Sequence, residues 1–132
     1  RYWRDWSSDV CSSDLEKFKP DIITVASGFD SAYLDPLGRM MLTADAYAML
    51  TKKLMDVADR LCSGKLMMTH EGGYNAVYTP FCGLAVMQQL SGITKLSDPF
   101  AHGNKYPGQE LKEQESAVIE RAVQNITKIP EL

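Results

Sequence analysis

The sequence predicts an α/β fold: parallel strands joined by helices, forming part of an incomplete three-layer α/β/α sheet. Two observations carry this reading. Two short apolar, β-branched runs are each followed by a glycine-containing polar loop, and between them lies a stretch with apolar residues at three- and four-residue steps. The resulting order of strand, helix, strand, helix, helix implies a right-handed parallel unit. Two strands are few for such a sheet, so its other strands are expected to be missing from this chain.

The first run, Asp21 to Ser27, follows Pro20 and ends at Gly28. Apolar residues at both odd and even positions predict a strand covered on both faces. Asp35-Pro36-Leu37-Gly38 is a turn signature, since proline fixes φ and glycine accepts an awkward backbone. Thr43 then caps a helix whose stripe is Tyr47, Leu50, Leu54, Val57 or Ala58, and Leu61, closing at Gly64. Lys65 to Thr69 reads as the second buried strand. Thr79 is the expected cap of the next helix, with Pro80 in its first turn. Phe81 to Leu90 is apolar nearly all round, which predicts a buried helix ending at Gly92. A Gly/Pro/Asp-containing connection leads to a last helix, striped by Leu111, Val118, Ile119, Ala122, Val123 and Ile126 and stopped before Pro130. Its Glu110, Lys112, Glu113, Glu115, Glu120 and Arg121 read as a solvated face.

Composition excludes several classes. The chain has 132 residues with 45% hydrophobic and 23% charged, as in an ordinary globular domain. Its net charge of −3 gives no general attraction to nucleic acid or anionic membranes. No apolar run approaches the roughly 20 residues that span a bilayer. Cys11, Cys62 and Cys82 are odd in number and widely spaced, which predicts reduced thiols in a cytoplasmic setting. Residues 1–16 stand apart. They hold both tryptophans and four serines between Ser7 and Ser13, with no periodicity. Asp5 to Leu15 (DWSSDVCSSDL) resembles one reading frame of a common sequencing-library adapter. This segment is therefore expected to be a non-native or disordered tail.

Ligands in open parallel sheets collect beyond the carboxyl ends of the strands, where Ser27–Gly38 and His70–Asn75 should converge. Asp30 is placed there to meet a hard or borderline cation, or simply to cap a turn as Asp35 does before Pro36. Gly72 and Gly73 allow close backbone approach. Tyr74 then offers a hydroxyl donor, or packs on the following helix.

The pair SGFDSAYLDPLGRMMLT and HEGGYNAVYTPFCGLAVMQQLSG, in this order and spacing, resembles the C-terminal part of the histone deacetylase superfamily. The nearest branch is the bacterial class II and acetylpolyamine amidohydrolase-like one, and the likeness runs from Phe18 to about Phe100. The resemblance implies an arginase/deacetylase-like fold, with residues 17–132 the C-terminal part of the catalytic domain. It implies that Asp30 is a zinc ligand, that Tyr74 polarises the acyl carbonyl, and that Leu37, Gly72 and Gly73 line an acyl-lysine channel. The implied substrates are acetylated lysine or polyamine, without direct nucleic-acid or membrane partners, in a protein that could form a homo-oligomer. The family's D-x-H ligands and histidine pair are not in this sequence; its histidines are His70 and His102. Neither is expected to bind metal. One aspartate is too few for catalytic zinc, which takes about three protein ligands, so this chain alone is expected to be inactive. The competing expectation is a non-catalytic binding or structural module built on the same fold.

Overall fold

The computed structural model describes residues 15–38, 40–102 and 112–125. Strand β1 (Ile23–Ser27) pairs in parallel with β2 (Leu66–His70), in the register Ile23↔Leu66 to Ser27↔His70. Helix α1 (Ala44–Cys62) makes the crossover between them, α2 (Thr79–Ser91) follows β2, and α3 (Glu113–Gln124) comes last. The predicted order of elements is therefore present, as part of a parallel α/β sheet.

β1 starts two residues later than predicted. Its first rung is the bond from the Ile23 amide to the Lys65 carbonyl, 2.9 Å, and Ile22 before it remains exposed. α1 begins as expected, with the Thr43 hydroxyl accepting from the Ala46 amide at 3.3 Å. It ends where Ser63 turns left-handed and the Gly64 amide reaches back to the Ala58 carbonyl. α2 differs at its start. Tyr78, not Thr79, takes the cap position, its carbonyl accepting from the Phe81 and Cys82 amides at 3.0 and 3.2 Å, while the Asn75 side chain accepts from the Val77 and Tyr78 amides in the turn before it.

Burial corrects two expectations. The strands are covered on one face only among the described residues. Ile23 is buried and Val25, Ser27, Leu66 and Met68 are half-buried, whereas Thr24, Ala26, Met67 and Thr69 are exposed. The α1 and α2 helices supply that single cover, and the second helical layer of a complete fold has no counterpart among the described residues. For the same reason α2 is not buried all round. Only Cys82 and Val86 are buried, and Met87 and Leu90 stay exposed. Leu50, on the α1 stripe, is also exposed, and so are Val118 and Ile119 of α3.

The main core gathers Phe29, Ala32, Ala44, Tyr47, Tyr78, Cys82 and Val86, so the loop after β1 is itself part of it. A second cluster joins Ile23 to Val57, Ala58 and Cys62 near the other end of α1. Leu15, in a helical turn at 15–18, packs on this second cluster, and Glu16 pairs with Arg60 at 3.0 Å. Residues 1–14, on which most of the expected tail falls, lie outside the described residues. Cys62 and Cys82 are free and buried, and Cys11 is not among the described residues. No helix in the described part is long and apolar enough to cross a membrane.

Candidate functional site

The two loops beyond the strand ends are laced together by backbone. The Glu71 amide donates to the Ser27 carbonyl at 3.2 Å, and the Phe29 amide donates to the Gly72 carbonyl at 2.7 Å. These bonds continue the strand pairing past the sheet and set Asp30 beside Gly72. The Asp30 carboxylate fills space that side chains at Gly28 and Gly72 would need. A Cβ at Gly28 would stand 2.8 Å from Asp30 Oδ1, and one at Gly72 would stand 2.9 Å from Asp30 Cγ. Gly73 adopts φ +137°, open only to glycine at low cost, and a Cβ there would crowd Thr79 and Phe29.

Phe29 anchors this corner from below. Its ring meets Tyr47 edge-on at 5.2 Å between centroids and stacks on His70 at 5.1 Å. His70 thus serves as an exposed aromatic lid on Phe29. His102 is exposed in the connection after α2.

Asp35 is buried and accepts three backbone bonds. Oδ1 takes the Leu37 amide at 2.8 Å and the Gly38 amide at 3.0 Å, and Oδ2 takes the Tyr74 amide at 2.7 Å. Burial opposes its ionisation, but the bonds from Tyr74, Gly38 and Leu37 outweigh that cost and hold its carboxyl below the ordinary value. The turn-capping role read from the sequence is real, and it is half of what this residue does. The Asn75 side-chain amide adds a further tie, donating to the Leu34 carbonyl at 2.7 Å. The Leu37 and Tyr74 amides are thus held on the two oxygens of one carboxylate, and both residues have exposed side chains.

Behind the loops, Tyr78 is fully buried. Its hydroxyl accepts from the Ala44 amide at 3.0 Å and donates to Asp98 Oδ2 at 2.8 Å. Burial and that donation raise its pKa and keep it protonated. Burial likewise pushes the Cys82 thiol up to about 12. The Tyr47 hydroxyl is buried with no hydrogen-bond partner of ordinary geometry among the described residues. Its pKa is raised first by burial and then by the nearby acidic groups of Cys82, Asp30 and Asp35.

What the arrangement offers is one carboxylate in a glycine cradle, one exposed phenol and one exposed apolar side chain, Leu37. No three His, Cys, Asp or Glu side chains gather to hold a metal among the described residues. The two glycines give the Asp30 carboxylate a seat that a side chain at either position would take, and a carboxylate oxygen is a donor that suits a single metal ligand. By number it is one corner of such a site.

A model of the histone deacetylase domain matches residues 1–90 of the chain. The chain belongs to the histone deacetylase family. The histone deacetylase-like amidohydrolase of Pseudomonas aeruginosa is 49% identical to this deacetylase-family chain over 86 residues, which cover 64% of the chain and 23% of that protein. Histone deacetylase 8 of Arabidopsis thaliana is 35% identical over 98 residues, covering 73% of the chain and 25% of its own length. The chain thus spans about a quarter of the length of these relatives. The solved structure of the histone deacetylase Clr3 superposes with a TM-score of 0.64 at 28% identity, over 96% of this chain and 18% of that one. The fold of this deacetylase-family chain is accordingly a partial α/β deacetylase fold.

The sequence alone singled out Asp30, Gly72, Gly73 and Tyr74, and the folded loops bring their backbones together. The bridging half of Asp35's role was not read from it. An aspartate before proline is already explained by the turn, and nothing local announces a bond made 39 residues away.

Proposed function

We propose that this chain is the C-terminal part of a zinc-dependent deacetylase that hydrolyses the acetyl-amide bond of acetylated lysine or an acetylated polyamine. The observation that carries the reading is the glycine cradle. Gly28 and Gly72 leave the Asp30 carboxylate the space it occupies, within the same loop pair that carries Tyr74. The family membership supports it.

When bound, zinc supplies a Lewis acid that polarises the amide carbonyl and activates water. In this reading Asp30 is one of its ligands. The Tyr74 hydroxyl donates a hydrogen bond to the carbonyl oxygen as negative charge builds there, an interaction worth about 2–4 kcal/mol for a well-placed donor. Gly72 and Gly73, without side chains, keep the wall beside Tyr74 narrow, and Leu37 gives the acyl-lysine stem an apolar surface. The remaining ligands and the proton-transfer group come from outside this chain, so the chain by itself is inactive. A cytoplasmic setting, without nucleic acid or membrane as direct partner, belongs to the same proposal.

The test is acetyl-lysine and acetylpolyamine hydrolysis, with zinc stoichiometry, on the complete polypeptide that contains this segment. Turnover with about one zinc per chain, lost on chelation, supports the reading. A complete chain that binds no zinc and releases no acetate defeats it and favours a non-catalytic module.

A further inference from the structure

Three backbone N–H groups from two loops converge on one buried carboxylate. The Leu37 and Gly38 amides share Asp35 Oδ1, and the Tyr74 amide takes Oδ2. All three partners are donors, so the site asks for a side chain that only accepts, with two oxygens in fixed directions. Leu37 and Tyr74 carry exposed side chains, so neither is held by packing of its own. Their relative position is set through the backbone, and the Asp35 carboxylate is what joins their two loops at this point.

We propose that Asp35 is a positioning residue for acyl-amide hydrolysis, fixing the Tyr74 hydroxyl relative to the channel wall at Leu37 by clamping both backbones on a single carboxylate. The inference rests on the deacetylase reading of Tyr74 given above. Asp35 itself touches neither substrate nor metal in this scheme. It acts on the step in which the carbonyl oxygen gains charge, because a donor displaced by about 1 Å can lose roughly a hundredfold in rate.

The chemistry of asparagine makes the clamp separable. An Asp35→Asn side chain has one accepting oxygen and one donating NH2 group. Kept toward Leu37 and Gly38, the oxygen preserves the turn, and the NH2 then faces the Tyr74 amide and releases it. In the complete deacetylase chain, Asp35→Asn is expected to lower kcat roughly tenfold to a hundredfold, with KM changed less than about threefold and zinc content intact. Added to Tyr74→Phe, it is expected to cost less than about twofold more, because the group it positions is already gone. An unchanged kcat overturns the proposal, as does loss of zinc, or the same full loss in the Tyr74→Phe background.

Should Asp35→Asn fail to fold, the unaltered 132-residue chain still decides. Its Leu37, Gly38 and Tyr74 amide protons must shift with one common midpoint in an acid titration followed by nuclear magnetic resonance. Separate midpoints, or a Tyr74 amide that does not move, overturn the clamp. A complete chain with no hydrolysis and no zinc defeats the deacetylase reading instead, and the amide titration tells the two failures apart.

Discussion

The carboxylate of Asp30 lies against the backbone of Gly72, so close that a Cβ at residue 72 would come within 2.9 Å of Asp30 Cγ. The two residues belong to loops that follow different strands, and the Phe29 amide bonded to the Gly72 carbonyl at 2.7 Å keeps them in contact. The Asp30 carboxylate and the stem of the Gly-Gly-Tyr loop are therefore parts of one packed corner.

Gly72→Ala tests that corner. The added methyl must push the Asp30 side chain aside, and overpacking of this kind costs about 1–3 kcal/mol. Denaturant unfolding of the complete chain should show the loss, and zinc affinity should fall with it. Unaltered zinc affinity would mean that the Asp30 carboxylate has freedom to move without consequence.

Asp30→Ala and Tyr74→Phe should part company. Tyr74 is exposed, so removing its hydroxyl should leave stability within about 0.5 kcal/mol. Turnover should drop roughly a hundredfold to a thousandfold while metal stays bound. Asp30→Ala should release the metal, which atomic absorption after gel filtration would show directly. The converse pattern would exchange the roles given to these residues.

Acid stability should bear the mark of Asp35. Its folded-state carboxyl lies below the ordinary value of 3.8, so between the two values the unfolded chain binds the extra proton. Stability is then fully present above about pH 4 and is lost as pH falls through the folded value. Asp35→Asn should flatten this acid limb of the unfolding profile. Equal slopes for the two proteins would remove Asp35 as its source.

The Tyr78 hydroxyl satisfies the first amide of α1 and reaches Asp98 from a fully buried position. Tyr78→Phe leaves both partners without it, at a cost of about 1–3 kcal/mol. Thermal unfolding should show a drop of several degrees. A change below one degree would mean that water replaces the hydroxyl.

Cys82 should resist alkylation in the folded chain. The thiolate is the reactive form, and burial has pushed this thiol up to about 12. Iodoacetamide at pH 8 should modify it only after denaturant is added, as mapped by mass spectrometry. Labelling under native conditions would show that α2 opens readily.

Much of this protein is legible along the chain. The apolar runs gave both strands within two residues, and Thr43 marked the start of α1. The GFD and EGGY motifs, with their spacing, named the family. Apolar residues on both faces of β1, and all round α2, record burial against partners, and the described residues supply cover on one side only. Helix α2 likewise takes Tyr78 rather than Thr79 as its cap residue, the Phe81 and Cys82 amides bonding the Tyr78 carbonyl.

Local chemistry therefore determined which segments become strand or helix, and which residue types stand at the strand ends, because backbone preference and apolar period act over a few neighbouring residues. Only the tertiary structure decided that Asp35 serves two loops, that Asp30 rests on Gly72, and that the Leu37 and Tyr74 amides share one carboxylate. Those relationships depend on parallel pairing that brings residues some 40 positions apart within hydrogen-bond reach, and no short-range pattern encodes a distance of that kind.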